Sequence, residues 1–182
     1  MTKIDEAISK VTATVGIAAK HLGTGRTINR NENDIFFTAS TLKVPLIVAL
    51  YRLVDQGKID PAERVVFEDS MRVPGSGILK ALGAELNPTI HDLAMLMIIV
   101  SDNTATDLIF ERVGKNYLNS TISVLGLSNT RIPMTTRELL YDIVELDPTD
   151  ESVTYEEASD MLVRQQLVLD ADAFREETSD VS

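Results

Sequence analysis

The stretch FTASTLKVPLIVALYRL, residues 37–53, sets a serine and a lysine three residues apart at the head of a long apolar run. Helical spacing continues from Thr38 to about Gln56, with Thr38 or Ser40 placed to cap the start, Pro45 in the early turns and Gly57 placed to end it. That spacing puts Ser40 and Lys43 on one face and within reach of each other. A serine at a helix start sits where backbone N–H groups converge and negative charge is favoured, a suitable place for an oxyanion. A lysine can act as its base only if burial or nearby positive potential lowers its pKa. The pair therefore reads either as a nucleophile with its base or as ordinary residues opening a buried helix. With twelve serines and seven lysines, S-x-x-K arises by chance about 0.5 times in a chain of this composition.

Upstream, residues 4–13 (IDEAISKVTA) space apolar side chains at helical intervals. VGIAAKHL, residues 15–22, and RTINRN, residues 26–31, read as two strands joined by a turn at 23–25, a hairpin. Downstream comes a loop with a short VVFE strand, and then TIHDLAMLMIIV, residues 89–100, apolar on nearly every side as a fully buried helix would be. A further helix opens near Thr104 and closes at Gly114, and three more helical segments follow, near 115–125, 135–144 and 154–166. From Leu167 the periodicity is weak and the end polar, which fits fraying. Two strands alone are marginal as a sheet, so six or seven helices beside one hairpin leave an imbalance.

At 182 residues the chain has the length of one domain, with 44% apolar and 25% charged residues and no apolar run long enough to cross a bilayer. The formal charge of −11 argues against nucleic acid as a partner. Solubility accounts for this acidity, and adaptation to salt is the other reading. The N-terminus has acids at positions 5 and 6 and no secretory apolar region, so a cytoplasmic location is expected, or a secreted one if a signal has been removed. With no cysteine, and with His21 and His91 the only histidines, neither a metal site nor a cofactor is expected. Gly75-Ser76-Gly77 lacks the spacing of a nucleophile elbow and reads as a loop at a cleft rim, and the four tyrosines read as packing residues.

A second signal is Ser101-Asp102-Asn103, directly after the apolar helix, a tripeptide expected by chance only about 0.04 times. It suits a helix-capping loop. It also completes a catalytic rationale with the first pair: a hydroxyl to attack, a lysine to take its proton, a second hydroxyl to pass a proton to a leaving nitrogen, and an amide to hold substrate. S-x-x-K with S-D-N, together with K-T-G, is the signature set of class A β-lactamases and penicillin-binding proteins. The likeness extends through FTASTLKVPLIVALYRLVDQGKID, GSGILKALGAELNPTIHDLAMLMIIVSDNTATDLIFERVG and GLSNTRI. From about residue 4 to residue 132 the chain resembles that family, whose fold is α+β, β-lactamase/transpeptidase-like.

The resemblance implies a serine hydrolase that opens the amide of a small β-lactam or related substrate through an acyl-enzyme. In it Ser40 is the nucleophile, Lys43 the proton acceptor, Ser101 the hydroxyl near the leaving nitrogen and Asn103 the substrate contact, while Asp102 buttresses the loop. Two departures stand out. The family's deacylating glutamate lies in E-x-x-L-N; the only candidate is Glu138 in TTRELLYDI, which also reads as an amphipathic helix with Leu139, Leu140 and Ile143 inward. No K-T-G or K-S-G follows Asn103, so the mostly helical domain with its hairpin is expected to lack the family's C-terminal strands and to be a single truncated domain over residues 1–182. The open readings are a hydrolase impaired by that loss, a penicillin-binding or peptidase-like protein that acylates without deacylating, and a non-catalytic fragment or binding module.

Overall fold

Two compact units, Met1–Ala39 and Ser40–Ser182, divide the chain; the computed structural model describes residues 2–83, 85–150 and 152–165. In the first unit, helix α1 (Lys3–Ile8) opens with a capping box in which Thr2 and Asp5 satisfy each other's backbone N–H groups. It stops short of the expected residue 13, where Val11, Thr12 and Thr14 bring β-branched side chains that favour extended backbone. Strands β1 (Ile17–Lys20) and β2 (Thr27–Arg30) pair antiparallel with Ile17 opposite Arg30 and Lys20 opposite Thr27. Arg30 Nε and Nη2 donate to Asp5 Oδ1 at 2.9 and 2.7 Å, fastening α1 to β2. This pair is the only sheet among the described residues.

The second unit is helical. A single 3₁₀ turn (Ala39–Leu42) leads into α2 (Lys43–Asp55), so the helix starts later than the pattern suggested, and Leu42 at its N-cap position makes no side-chain capping bond. Pro45 falls within the first turn, whose N–H groups have no intrahelical acceptor, and costs no hydrogen bond. The helix buries Leu46, Ala49, Leu50 and Leu53 and ends where Lys58 N–H bonds Leu53 O at 2.9 Å. Helix α3 (Ile90–Ile99) has a Thr89–Asp92 capping box and buries Ile90, Leu93, Ala94 and Met97. Its other face is open: Met95, Ile98 and Ile99 are exposed, Ile99 by 68%, so the helix expected to be buried all round is buried on one side only.

The helix that is buried all round is the next one. In α4 (Asn103–Val113) every residue from Asn103 to Phe110 is buried, although the sequence NTATDLIF is half polar. It packs against α3, α2, α5 (Lys115–Val124) and α6 (Thr136–Ile143). Helix α6 has a Thr135–Glu138 capping box, and its inward residue is Tyr141 rather than Ile143, which is exposed; Leu139 and Leu140 are half-buried. Among the described residues a further helix, α7, covers 155–165 and buries Ala158. Residues 65–68 form no strand: an isolated bridge joins Arg64 to Thr89, Val65 N–H bonds Pro88 O at 2.9 Å, and Phe67 enters the core. The segment from Leu167 lies outside the described residues.

The Tyr141 hydroxyl is buried and has no hydrogen-bond partner among the described residues. Burying an unpaired hydroxyl carries a desolvation cost that its removal relieves. Tyr141→Phe is therefore expected to leave the urea midpoint unchanged or raise it, whereas Ile109→Ala at the fully buried centre of α4 should cost about 2–5 kcal/mol in the same titration.

Candidate active site

Four of the five candidate residues converge where α2 meets the start of α4. The chain leaves α3 at Val100 and turns sharply at Ser101, a non-glycine residue held at φ +54°. Ala39, immediately before Ser40, is likewise at φ +42°. Such positions cost of order 1–3 kcal/mol each and persist only where surrounding contacts hold them. Next to Ser101 such contacts run through Asp102, whose carboxylate accepts from the N–H groups of Ile78 and Leu79 at 2.7 Å each and of Ala105 at 3.0 Å. One buried carboxylate thus caps α4 and fixes the 78–79 turn to it.

Lys43 is 3% exposed and points into this turn. Its Nζ lies 2.7 Å from Ser101 O, 2.8 Å from Ser101 Oγ, 2.9 Å from Asn103 Oδ1 and 3.4 Å from Ser40 Oγ. The two hydroxyl oxygens, Ser101 Oγ and Ser40 Oγ, are 3.0 Å apart. The carbonyl oxygens of Ser101 and Asn103 can only accept, so they take two N–H bonds from the amine in either protonation state. Loss of the third proton leaves a lone pair towards the hydroxyls, with Ser101 Oγ nearer than Ser40 Oγ. Burial pushes the Lys43 pKa below its usual value, and the negative charges of Asp102 and Asp107 pull part of the way back. The arrangement suits an amine that exchanges a proton with two adjoining hydroxyls.

Asn103 uses both ends of its amide inside the protein, Oδ1 to Lys43 and Nδ2 to Pro74 O at 2.9 Å. It is 8% exposed and holds the lysine. Together with Thr104, whose Oγ1 accepts from Val73 N–H at 3.0 Å, and Asn103 N–H, which donates to Ser76 O at 3.0 Å, it straps residues 70–79 along the start of α4. The approach is close enough to require glycines: a Cβ on Gly77, at φ +116°, would overlap the Asp102 carboxylate, and one on Gly75, at φ +86°, would sit 2.8 Å from Asn103 Nδ2. Gly75 and Gly77 were not among the candidates. The signal that could have found them is two glycines flanking one residue in a chain with only nine.

Glu138 stands apart from these contacts. Its Oε2 accepts from Thr135 N–H at 2.7 Å, closing the capping box of α6. A carboxylate the sequence did not single out is Asp107, one turn beyond Asn103 on α4. Its two oxygens accept from the N–H groups of Thr136 and Arg137 at 2.7 Å each. Burial is the largest influence and pushes its carboxyl up to about 6, against the lowering effect of those two N–H bonds and with a small further rise from Glu111. An acid four residues past the S-D-N asparagine, on the same helical face, was the available signal.

Residues 1–174 match the beta-lactamase enzyme family, and the chain belongs to that family. Among solved structures it is similar to a beta-lactamase from Sphaerobacter thermophilus, with 37% identity and a TM-score of 0.69 over 72% of this chain and 49% of that one. It is also similar to a variant of PBP-A solved as an acyl-enzyme complex with penicillin G, with 27% identity and a TM-score of 0.66 over 87% and 64% of the two chains. The extended-spectrum beta-lactamase PER-1 of Pseudomonas aeruginosa is 28% identical over 134 residues, 71% of this chain and 44% of its own length. The matched part spans less than half the length of the curated relatives.

Because the folded-state value of Asp107 lies above that of an unfolded aspartate, its contribution to stability is fully present below about pH 3.8 and is lost as pH rises through about 6. The side-chain carboxyl resonance of Asp107 should titrate near pH 6, and chemical denaturation between pH 4 and 7 should show wild-type stability falling relative to Asp107→Asn across that window. A titration below pH 4 would contradict this environment.

Proposed function

We propose that this member of the beta-lactamase enzyme family acylates Ser40 with a β-lactam and releases the product by hydrolysis, as a serine β-lactamase-type enzyme. The observation that carries the reading is the buried Lys43 amine with the Ser40 and Ser101 hydroxyls around it. Ser40 Oγ attacks the lactam carbonyl carbon while its proton passes to the Lys43 amine, through Ser101 Oγ along the shorter contacts or directly. The new C–O bond leaves an oxyanion near the start of α2, where the helix dipole favours negative charge. The oxyanion collapses, the C–N bond breaks, and the lactam nitrogen takes the Ser101 proton, which Lys43 replaces. A water molecule then completes hydrolysis of the ester.

The last step is where a second reading has support. Glu138, the candidate deacylating base, has its Oε2 engaged by the Thr135 N–H in the capping box of α6, apart from the contacts around Lys43. A penicillin-binding protein that acylates and then stalls fits this engagement, and the PBP-A variant captured as an acyl-enzyme with penicillin G is a similar structure. No K-T-G or K-S-G follows Asn103 in these 182 residues, so the second oxyanion donor that the family resemblance assigns to that strand is not encoded here. Loss of one such donor typically costs about 10²- to 10³-fold in rate, so slow chemistry is expected of the 182-residue chain in either case.

Intact-mass spectrometry of the chain after incubation with benzylpenicillin tests the proposal. One covalent adduct is expected, mapping to Ser40 and absent in Ser40→Ala. Lys43→Ala and Ser101→Ala should form it about 10²- to 10⁴-fold more slowly, the range for loss of a positioned proton-transfer group. An adduct that disappears as free penicilloate accumulates favours the hydrolase, and one that persists favours the acylated protein. A wild-type chain that forms neither adduct nor penicilloate, or forms them equally in Ser40→Ala, would overturn both.

A further inference from the structure

Asp107 is 7% exposed and takes no part in the proton transfers above. Its Oδ1 accepts from Thr136 N–H and its Oδ2 from Arg137 N–H. Both donors lie in the first turn of α6, where backbone N–H groups have no acceptor within their own helix. The carboxylate is thus a cap delivered from another helix, and it works beside the Thr135–Glu138 box rather than in place of it.

From α6 the linkage continues towards the site. Arg137 Nη1 donates to Ser70 O at 2.7 Å, at the head of the 70–79 loop. Leu140 Cδ1 lies 3.7 Å from where a Cβ on Gly75 would stand, in the middle of the same loop. The rest of the loop is bound directly to α4 through Thr104, Asn103 and Asp102. One stretch of backbone is therefore held at two places: by the polar start of α4, and by α6, which is itself moored on Asp107.

We infer that Asp107 is a positioning residue: its two-oxygen clamp on the first turn of α6 holds the 70–79 loop against Asn103, and so fixes the acceptor that orients Lys43 beside Ser40 and Ser101. The part concerning reaction rate rests on the reading of Ser40 as the acylated hydroxyl. The clamp itself does not. Asparagine is the informative replacement, because it keeps the size and loses one acceptor. Its carbonyl oxygen can serve one of the two N–H groups, and its NH₂ then faces the other.

The test compares wild type, Asp107→Asn and Arg137→Met by native-state amide hydrogen exchange and by the rate of Ser40 labelling with a fluorescent penicillin. In Asp107→Asn, one of the Thr136 and Arg137 amides and the bonded amides of the 70–79 loop should exchange about tenfold faster or more, the size of one lost buried hydrogen bond. Protection of Leu46 to Leu53 in α2 should stay unchanged, and labelling should slow about tenfold. Arg137→Met keeps both backbone bonds to Asp107, so its Thr136 amide should stay protected while the loop near Ser70 loosens. Unchanged loop exchange in Asp107→Asn would overturn the inference. So would a loss of protection spread evenly through α2, which is the signature of a residue that only stabilises the fold. If wild type is not labelled, the reading of Ser40 fails, while the exchange pattern still decides whether Asp107 clamps the loop.

Discussion

The rest of the helical unit depends on the polar first turns of α4 being buried with every side chain satisfied. A buried polar group left without a partner costs about 1–3 kcal/mol, and a buried charge more. Asp102, Asn103, Thr104 and Asp107 are all at most 8% exposed, and each is committed to a different neighbour: the 78–79 turn, Lys43, Val73 and α6. Because these partners are mainly backbone groups of other segments, satisfying the helix also fixes where those segments lie. The apolar cluster of Leu46, Leu50, Leu93, Met97 and Ile109 supplies burial but no direction. Direction comes from the hydrogen bonds.

This arrangement gives Lys43 its chemistry. The amine is enclosed by oxygens and by the helices it joins, and burial disfavours its charge. Two aspartates acting on it offset part of that effect. The backbone strain at Ala39 and Ser101 belongs to the same device, since these residues flank Ser40 and carry the second hydroxyl. Capping bonds that would have occupied Ser40 are absent because α2 begins three residues later, which leaves Ser40 Oγ to Ser101 and Lys43.

Much of this was legible in the sequence, and the parts that were not share a cause. The S-x-x-K and S-D-N motifs identified Ser40, Lys43, Ser101 and Asn103, which the fold brings together. Hairpin and helices fell close to their expected places because their caps and turns are local, as at Thr89 with Asp92 and Thr135 with Glu138. The differences lie where apolarity and burial part company. TIHDLAMLMIIV has the composition of an enclosed helix and is open along Met95, Ile98 and Ile99, while NTATDLIF, half polar, is enclosed. Periodicity registers hydrophobic side chains but not polar ones whose partners lie tens of residues away, and Asp107 is such a case. Likewise VVFE has the residues of a strand and, among the described residues, no partner strand beside it.

The most direct test of the account is the titration of Lys43 itself, followed by NMR of its Cε and Nζ in the folded chain, assigned by comparison with Lys43→Arg. The account predicts a midpoint below the usual lysine value of 10.5, set by burial among Ser101, Asn103 and Ser40. A midpoint at or above that value would mean that the amine is a conventional ammonium ion paired to the aspartates, and the proton exchange on which the proposed chemistry rests would be contradicted.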